Sequence, residues 1–217
     1  MNIAQVSPQY FPYIGGISSH VKKVSEGLVQ EGFKVDVVTT DPSGKLSRTE
    51  ILNNVTVIRF KAVAPNNAYF FSPQVYNYLR KKRYTIIHAH FYHAFTSLFA
   101  ALAKNDNKFV FTPHTFGFRK TFPRNVFHKL YMPFGRYIYD TADKVIAVSE
   151  LEGKWIQSTF KVPDGKLIYI PHPIEIPRKN RTSRANGANR TNIFSVGFIG
   201  RLAPEKHVDV LIEAFKL

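Results

Sequence analysis

Short runs of β-branched and aromatic residues alternate along the chain with longer stretches whose apolar residues recur at helical spacing. This alternation is typical of a parallel sheet with helices on both faces. The pattern predicts strands at 2–7, 34–39, 55–60, 85–89, 109–112, 144–148 and 167–170. The expected fold class is therefore α/β.

The clearest helix follows the first strand. Ile17, Val21, Val24 and Leu28 lie at helical spacing, and Gly32 follows as a residue suited to end the helix. The apolar stripe of this helix should face the sheet. Further helices are predicted at 73–83, 93–104, 124–140 and 149–160.

A change in composition near residue 174 predicts a domain boundary. Segment 174–193 is rich in Pro, Asn, Arg and Gly and has no apolar periodicity, which is typical of a linker. A strand at 194–199 and a helix opened by Pro204 follow, and they are too short to bury a core of their own. We expect a first domain at 1–173, a basic linker, and the first strand and partial helix of a second domain at 194–217.

Composition limits the classes of protein to consider. Hydrophobic residues make up 44% of the chain, which is enough for a packed core. The chain has no cysteine, so disulfides, thiolate metal sites and a cysteine nucleophile are excluded. No apolar run approaches the roughly 20 residues of a membrane span, and the first residues lack a secretory signal. These features predict a cytoplasmic protein.

The chain is strongly basic, with 30 Lys and Arg against 15 Asp and Glu. A positive field attracts phosphate groups, whether in nucleotide diphosphates, anionic lipid headgroups or nucleic acid. No recognised nucleic-acid module is present, which makes nucleic acid the weaker choice. The basic run at 178–190 is interpreted as a solvated linker.

The segment 118–136 combines basic and aromatic residues without any acid. Such a helix suits an anionic membrane interface. A solvated basic face packed by its aromatic side is the alternative. The basic residues of this segment are Arg119, Lys120, Arg124, Lys129 and Arg136.

Two adjacent glycines, Gly15 and Gly16, separate the first strand from the first helix. Residues without side chains let backbone amides approach a phosphate at the positive end of a helix. An ordinary strand-to-helix turn is the alternative. The turn lies at the carboxyl edge of the sheet, where open α/β folds bind ligands. His20, one turn into the helix, is either a packed or capping group or a contact to an acceptor or membrane.

Several histidines follow or end predicted strands. Alternation puts His88 and His90 on one face, with His93 close behind, so a zinc site is one interpretation. Hydrogen-bonded histidines are the other, favoured because no carboxylate lies nearby in sequence. His114 follows the strand at 109–112, and this position favours function over a loop-capping role. No paired aspartates end a strand, so we expect no metal and metal-independent chemistry.

The last motif is a basic turn after the strand at 194–199. Arg201 leaves the turn and Lys206 lies in the first turn of the next helix, so both cations can converge on one anion. The nucleophile-elbow and Walker-type patterns are absent from the sequence, which removes the hydrolase and phosphate-loop classes they mark.

Taken together, seven segments resemble glycosyltransferase family 4. The resemblance implies a GT-B enzyme in which the amino-terminal, Rossmann-like domain holds the acceptor. A nucleotide-diphosphate-sugar donor would bind between two such domains, and its sugar would be transferred to the acceptor with retention of configuration. The matching segments are GGISSHV (15–21), VDVVTTD (35–41), IIHAH (86–90), TPHT (112–115), ADKVIAVSE (142–150), IPHPIEI (170–176) and GRLAPEKHVDVLIEAF (200–215).

The resemblance also implies roles for individual residues. Gly15 and Gly16 would meet the donor diphosphate, and His114 would contact the transferred sugar as the catalytic residue of this half. Arg201 and Lys206 would neutralise the departing diphosphate. No protein nucleophile, metal or other cofactor is implied. The acceptor would be a sugar, a lipid-linked molecule or a phosphate-bearing molecule, reached at the inner face of a membrane through segment 118–136.

The sequence departs from the family pattern in three ways. His207 stands where the family usually has glycine, and His172-Pro173 stands where it usually has Asn-Gly. The family's two-glutamate motif does not occur in the 217 residues, so we expect no transferase activity from this polypeptide alone. The alternative is a non-catalytic module that uses its basic surface to bind an anionic membrane or nucleic acid.

Overall fold

The computed structural model describes residues 1–65, 68–115, 122–173, 197–198 and 207–215, with the side chains of 122–128 left out. The chain separates into two compact units, Met1–Glu175 and Ile176–Leu217. The predicted linker at 174–193 lies outside the described residues, so the domain assignment stays a prediction.

The first unit is built on one eight-stranded sheet. The strands lie in the order β3-β4-β2-β1-β5-β6-β7-β8, and all neighbours are parallel except β3 and β4. The α/β class predicted from the sequence is confirmed. In chain order the strands are β1 (Asn2–Val6), β2 (Lys34–Asp41), β3 (Thr49–Leu52), β4 (Val55–Lys61), β5 (Ile86–His90), β6 (Lys108–Thr112), β7 (Lys144–Ala147) and β8 (Leu167–Tyr169).

Five α-helices connect these strands, and each was predicted within a few residues. A sixth helix, α6, is the described element of the second unit. The Oγ of Ser149 caps the fifth helix by accepting a hydrogen bond from the amide of Glu152. The helices are α1 (Gly16–Gln30), α2 (Gln74–Lys81), α3 (Phe95–Leu102), α4 (Phe122–Thr141), α5 (Glu150–Phe160) and α6 (Val208–Ala214).

The antiparallel edge strand β3 was not predicted. It is four residues long, and its side chains are partly or fully exposed. Such a short edge strand contains no apolar run that distinguishes it from a loop. Its Glu50 forms an ion pair with the buried Arg59 of β4, with 2.5 Å between Oε1 and Nη2.

Two apolar cores lie on opposite faces of the sheet, because successive side chains of a strand point in opposite directions. Val35 and Val37 of β2 pack with Val21 of α1 in one core. The next residue, Val38, points to the other face and packs in a second core. This core includes side chains of α2 to α5, among them Ile138. Helices therefore cover both faces, as expected.

The same alternation produces a polar patch on the α1 face. Ile87 and Ala89 of β5 belong to the second core. His88 and His90 therefore lie on the α1 face, and both are buried. Gln5 of β1 shares that face and is fully buried. Buried polar groups at neighbouring strand ends need mutual hydrogen bonds, and this requirement shapes the site.

Among the described residues, no helix has the length and apolar character needed to cross a bilayer.

Candidate functional site

The site lies where the strand order reverses. From β1 the sheet continues to β2 on one side and to β5 on the other. In open α/β sheets the crevice at the carboxyl ends of such strands binds ligands. Gly15 and Gly16 follow β1 and start α1, while His114 follows β6. The fold thus brings these sequence-predicted residues to one edge.

The loop before the glycines is held by two neighbouring strands. The hydroxyl of Tyr13 donates to Asp41 Oδ1 at 2.6 Å. The Nη2 of Arg59 donates to the carbonyl of Phe11 at 2.6 Å. Asp41 ends β2 and Arg59 lies within β4, so both anchors tie the loop before α1 to the sheet.

The glycines themselves border open space. A Cβ added to Gly16 would meet no atom within 4 Å, and Gly15 has an extended backbone that other residues also adopt. Packing within the described chain therefore does not require glycine at these positions. The first turn of α1 carries no acidic residue, so its amides and its positive helix end remain available for an anion.

Five of the eight histidines gather beside this turn. The central ring is His90, whose Nε2 lies 2.7 Å from Gln5 Oε1 and whose Nδ1 lies 3.2 Å from His114 Nε2. His88 Nε2 lies 2.7 Å from Thr112 Oγ1. We call the rings of His20, His88, His90, His114 and His172 the histidine cluster.

These contacts assign the protons of the central ring. As placed, Gln5 Oε1 accepts, so His90 Nε2 carries the hydrogen and Nδ1 carries the lone pair. The Nε2–H of His114 then donates to that lone pair. At the outer end, the Nδ1 atoms of His20 and His172 lie 2.9 Å apart, so one of them is a donor and the other an acceptor.

Four rings of the cluster, those of His20, His88, His90 and His114, have lowered pKa values and are neutral at physiological pH. Burial, followed by the charge of His172, lowers the pKa of His20 to about 4. Burial is also the main cause of the lowered pKa values of His88, His90 and His114, and neighbouring imidazoles add to it. A second proton anywhere in the group would lie among other imidazoles in a poorly solvated place.

His114 has a left-handed backbone, with φ at 49°. This conformation is uncommon for a residue with a side chain and clusters at functional sites. The next amide, that of Thr115, donates to Glu152 Oε1 at 2.7 Å. The loop after β6 is thereby tied to α5.

A cavity of about 320 Å³ opens at this edge. It joins the start of α1 to the loops after β6 and β7, so two predicted site residues, Gly16 and His114, face the same space. Burial raises the pKa of its Glu152 carboxyl, although amides of Val148 and Thr115 oppose that rise. The cavity is lined by Gly16, Ile17, His114, Thr115, Val148, Ser149, Glu152 and His172.

The structure describes only some of the other predicted residues. His20 joins the cluster and Lys129 is exposed on α4. Arg124 lies in α4, but its side chain is outside the description, and four cations lie outside the described residues altogether. Those four are Arg119, Lys120, Arg201 and Lys206. No role predicted for these residues has been tested.

His93 does not join His88 and His90, as the zinc interpretation required. Its ring packs against Tyr92, with 4.7 Å between ring centres. Sequence reasoning also missed Gln5, Glu152 and His172. A buried polar residue inside an apolar strand was a signal for Gln5, and a glutamate three residues after the capping Ser149 was a signal for Glu152.

The family model of Glycosyltransferase Family 4 matches residues 14–178, which is well over half of the chain. The chain belongs to glycosyltransferase family 4. The matched region contains the glycine turn, the histidine cluster and the cavity. Membership therefore rests on the same part of the chain as the site.

Curated relatives support this assignment. An uncharacterized glycosyltransferase of Methanocaldococcus jannaschii is 26% identical over 216 residues, covering 95% of this chain and 54% of the relative. A phosphatidylinositol N-acetylglucosaminyltransferase subunit from Arabidopsis thaliana is 24% identical over 229 residues, covering 98% of this chain and 48% of the relative. The chain thus spans about half the length of the curated relatives it matches.

Solved structures show the same fold at low identity. Sucrose-phosphate synthase from Thermosynechococcus elongatus matches with a TM-score of 0.58 at 18% identity, covering 78% of this chain and 47% of that one. WaaG, a glycosyltransferase involved in lipopolysaccharide biosynthesis, matches with a TM-score of 0.57 at 12% identity, covering 85% and 48%. The first unit therefore has the Rossmann-like amino-terminal fold of GT-B glycosyltransferases.

Proposed function

We propose that this chain supplies the acceptor-side half of a glycosyltransferase that moves a sugar from a nucleotide-diphosphate-sugar to an acceptor. The observation that carries the proposal is the shared cavity of Gly16 and His114. A diphosphate at the start of α1 would leave the attached sugar within the same space as His114. Family membership supports the reaction class.

The proposed step breaks the bond between the anomeric carbon and the diphosphate oxygen. The acceptor oxygen forms a new bond on the same face of the sugar, and the acceptor proton passes to the departing diphosphate, so configuration is retained. Charge on the leaving group would be stabilised by the amides at the start of α1 and by Arg201 and Lys206. We propose no metal in this step.

The carboxylate in the cavity supports a mechanism without a protein nucleophile in this half. Both oxygens of Glu152 already accept hydrogen bonds, Oε1 from Thr115 and Oε2 from Val148, each at 2.7 Å. Glu152 is also 2% exposed. It is the one carboxylate among the described lining residues, and both of its oxygens are used in hydrogen bonds that hold two loops.

The acceptor is proposed to be lipid-linked or phosphate-bearing and to be met at an anionic membrane surface on the cytoplasmic side. Support comes from the formal charge of +15 and from α4. Leu130, Phe134 and Tyr137 lie on one stripe of that helix and are 65%, 44% and 43% exposed. Exposed Lys129 and Arg136 flank the stripe. Apolar and basic groups together suit a headgroup interface.

The test is transfer from a panel of nucleotide-diphosphate sugars, measured for the 217-residue chain and for the protein as encoded in full by its gene. We expect no turnover by the 217 residues alone and turnover by the full protein. His114→Ala should reduce kcat by about 100-fold or more, as loss of a group at the reacting centre does. His93→Ala, a histidine outside the cavity, is the matched control.

Folding of both variants is checked by thermal unfolding. Unchanged turnover in a folded His114→Ala protein would contradict the assigned role. Turnover by the 217 residues alone would contradict the expectation that a donor-side half is needed. Failure of the full protein to use any nucleotide sugar would contradict the function itself.

A further inference from the structure

The histidine cluster contains a set of nitrogen atoms already close to a metal-binding arrangement. One ring nitrogen from each of His20, His90 and His114 lies within 4.8 Å of the other two. The three come from α1, β5 and the loop after β6, so no local sequence motif announces them. His90 and His114 come from the ends of the paired strands β5 and β6, and His20 reaches them from α1.

The distances fit the requirements of zinc. Zinc binds imidazole nitrogen at about 2.0–2.1 Å, so neighbouring nitrogens of a tetrahedral site are roughly 3.3 Å apart. His90 Nδ1 and His114 Nε2 are 3.2 Å apart, which is already this spacing. For both nitrogens to bind one ion, the hydrogen on His114 Nε2 must move to Nδ1 of that ring. His20 is half-buried on the first turns of α1, and its nitrogen must move nearer to the other two to complete this spacing.

The surroundings of His90 prepare it as a ligand. A metal-bound imidazole usually donates its other ring N–H to a fixed acceptor, which sets the tautomer and the ring orientation. Gln5 Oε1 performs this role, since it accepts from His90 Nε2 at 2.7 Å. The lone pair on His90 Nδ1 therefore points toward His114 and the centre of the group. Gln5 is fully buried within β1.

We propose that His20, His90 and His114 form a binding site for a transition-metal ion of the zinc class, with its fourth position open to the cavity beside His172. Nitrogen ligands of this kind suit Zn²⁺, Co²⁺, Ni²⁺ and Cu²⁺ rather than Mg²⁺ or Ca²⁺. The site shares His114 with the proposed transferase function, so a bound ion and a donor sugar would compete for the same ring. The transfer itself is proposed to need no metal.

The charge of the surroundings favours the site. Imidazole binds a metal through the lone pair of a neutral ring. Among the described residues no carboxylate joins the group of ligand atoms. A bound divalent ion would therefore keep its charge and attract an anion or hydroxide to its open position.

The experiment uses the untagged, metal-free 217-residue chain. Co²⁺ is added near neutral pH while its visible absorption is recorded, and Zn²⁺ is then added in competition. We expect one Co²⁺ per chain with the absorption of a four-coordinate ion, lost when Zn²⁺ displaces it. His20→Asn and His114→Gln should each weaken Co²⁺ binding by at least about 10-fold, and Gln5→Leu should weaken it by about the same factor.

The matched control is His93→Asn, which should bind Co²⁺ as the unaltered chain does. Circular dichroism reports whether each variant is folded. His20 is half-buried and lies on α1 rather than in the sheet, so His20→Asn keeps the test available if substitutions in β5 disturb folding. Absence of the Co²⁺ absorption in the unaltered chain, or equal affinity in a folded His20→Asn variant, would overturn the proposal.

Discussion

The Oε1 atom of Glu152 lies 2.7 Å from the backbone nitrogen of Thr115, a residue 37 positions earlier in the chain. Its Oε2 atom lies 2.7 Å from the nitrogen of Val148. One buried carboxylate thus joins the loop after β6 to the loop after β7. The first of these loops carries His114 in its left-handed conformation, so Glu152 acts as a positioning residue for the cavity.

Glu152→Gln should destabilise the chain, because an amide offers a single oxygen to two backbone donors. One buried N–H then loses its acceptor and faces another donor, at a cost of about 1–3 kcal/mol. Urea unfolding measures this difference. Glu150→Gln changes an exposed carboxylate two residues away and should cost less than about 0.5 kcal/mol. Equal midpoints for the two variants would contradict this role of Glu152.

The sheet was predictable because its parallel strands are buried. Runs such as 57–58 and 109–111 are apolar on both faces and have a clear pattern. The edge strand β3 was missed because its stability depends on pairing with β4 and on the contact of Glu50 with Arg59. Such tertiary contacts leave no local pattern.

The site was predictable only in part, for a similar reason. Strand ends placed Gly16 and His114 at one edge, which the structure confirms. The grouping of His20 with His90 depends on the rotation of α1, and that of His172 depends on the path of the chain after β8. The left-handed φ of 48° at His207 explains why glycine suits that position. The resemblance to the family showed that His207 replaces the usual glycine, but it did not show this backbone conformation.

Arg59→Lys should destabilise the loop that precedes Gly15. Arg59 is 2% exposed and its guanidinium serves Glu50 and the carbonyl of Phe11 together. Lysine has no planar fork and cannot keep both contacts. Because a buried charge loses partners, we expect a loss of about 3 kcal/mol in urea unfolding.

Glu50 provides the comparison for this variant. It is about one-third exposed, so Glu50→Gln removes a partly solvated charge and should cost less than Arg59→Lys. A larger loss for Glu50→Gln would show that the ion pair, rather than the contact with the loop, is the main contribution of Arg59.

Gly135→Ala should destabilise α4. Gly135 faces the buried ring of Tyr92, and an added Cβ would lie 2.5 Å from Cε2 and 2.7 Å from Cζ. The ring is enclosed by other aromatic side chains, so it has little room to move. We expect a loss of about 1–3 kcal/mol, which exceeds the gain in helix propensity.

Gly27→Ala is the matched control, near the end of α1. A Cβ there meets no atom within 4 Å. The substitution should therefore stabilise the chain by up to about 1 kcal/mol through helix propensity. Thermal unfolding of both variants shows whether their effects have opposite signs, and two effects of the same sign would contradict the packing argument.

The acid sensitivity of the chain should depend partly on Asp41. Burial raises the pKa of its carboxyl, but hydrogen bonds from Ser43, Tyr13 and the amide of Leu46 outweigh burial, so the net pKa lies below its ordinary value. A lowered carboxyl pKa adds stability above the unfolded-state pKa of about 3.9 and loses it as pH falls toward the folded value.

Comparison with Asp41→Asn measures this contribution. The difference in free energy of unfolding between the two proteins should be constant above about pH 5 and should shrink below about pH 4. Urea unfolding at a series of pH values gives the difference. A gap that stays constant down to low pH would mean that the ionised form of Asp41 is not preferentially stabilised in the fold.

The exposed stripe of α4 should carry membrane binding. Leu130→Ser and Phe134→Ser each remove an exposed apolar group, 65% and 44% accessible, and should lower co-sedimentation with phosphatidylglycerol-containing vesicles several-fold. Leu151→Ser removes an apolar group of similar exposure, 59%, from α5 and should have no effect.

Lys129→Glu should weaken binding to anionic vesicles by about fivefold or more, since each basic residue near the surface contributes about 1 kcal/mol. Because the electrostatic part acts only on charged lipid, the same substitution should leave binding to phosphatidylcholine vesicles unchanged. Equal partitioning of the unaltered chain to both kinds of vesicle would count against the membrane proposal and would leave the basic face of α4 as a solvated surface.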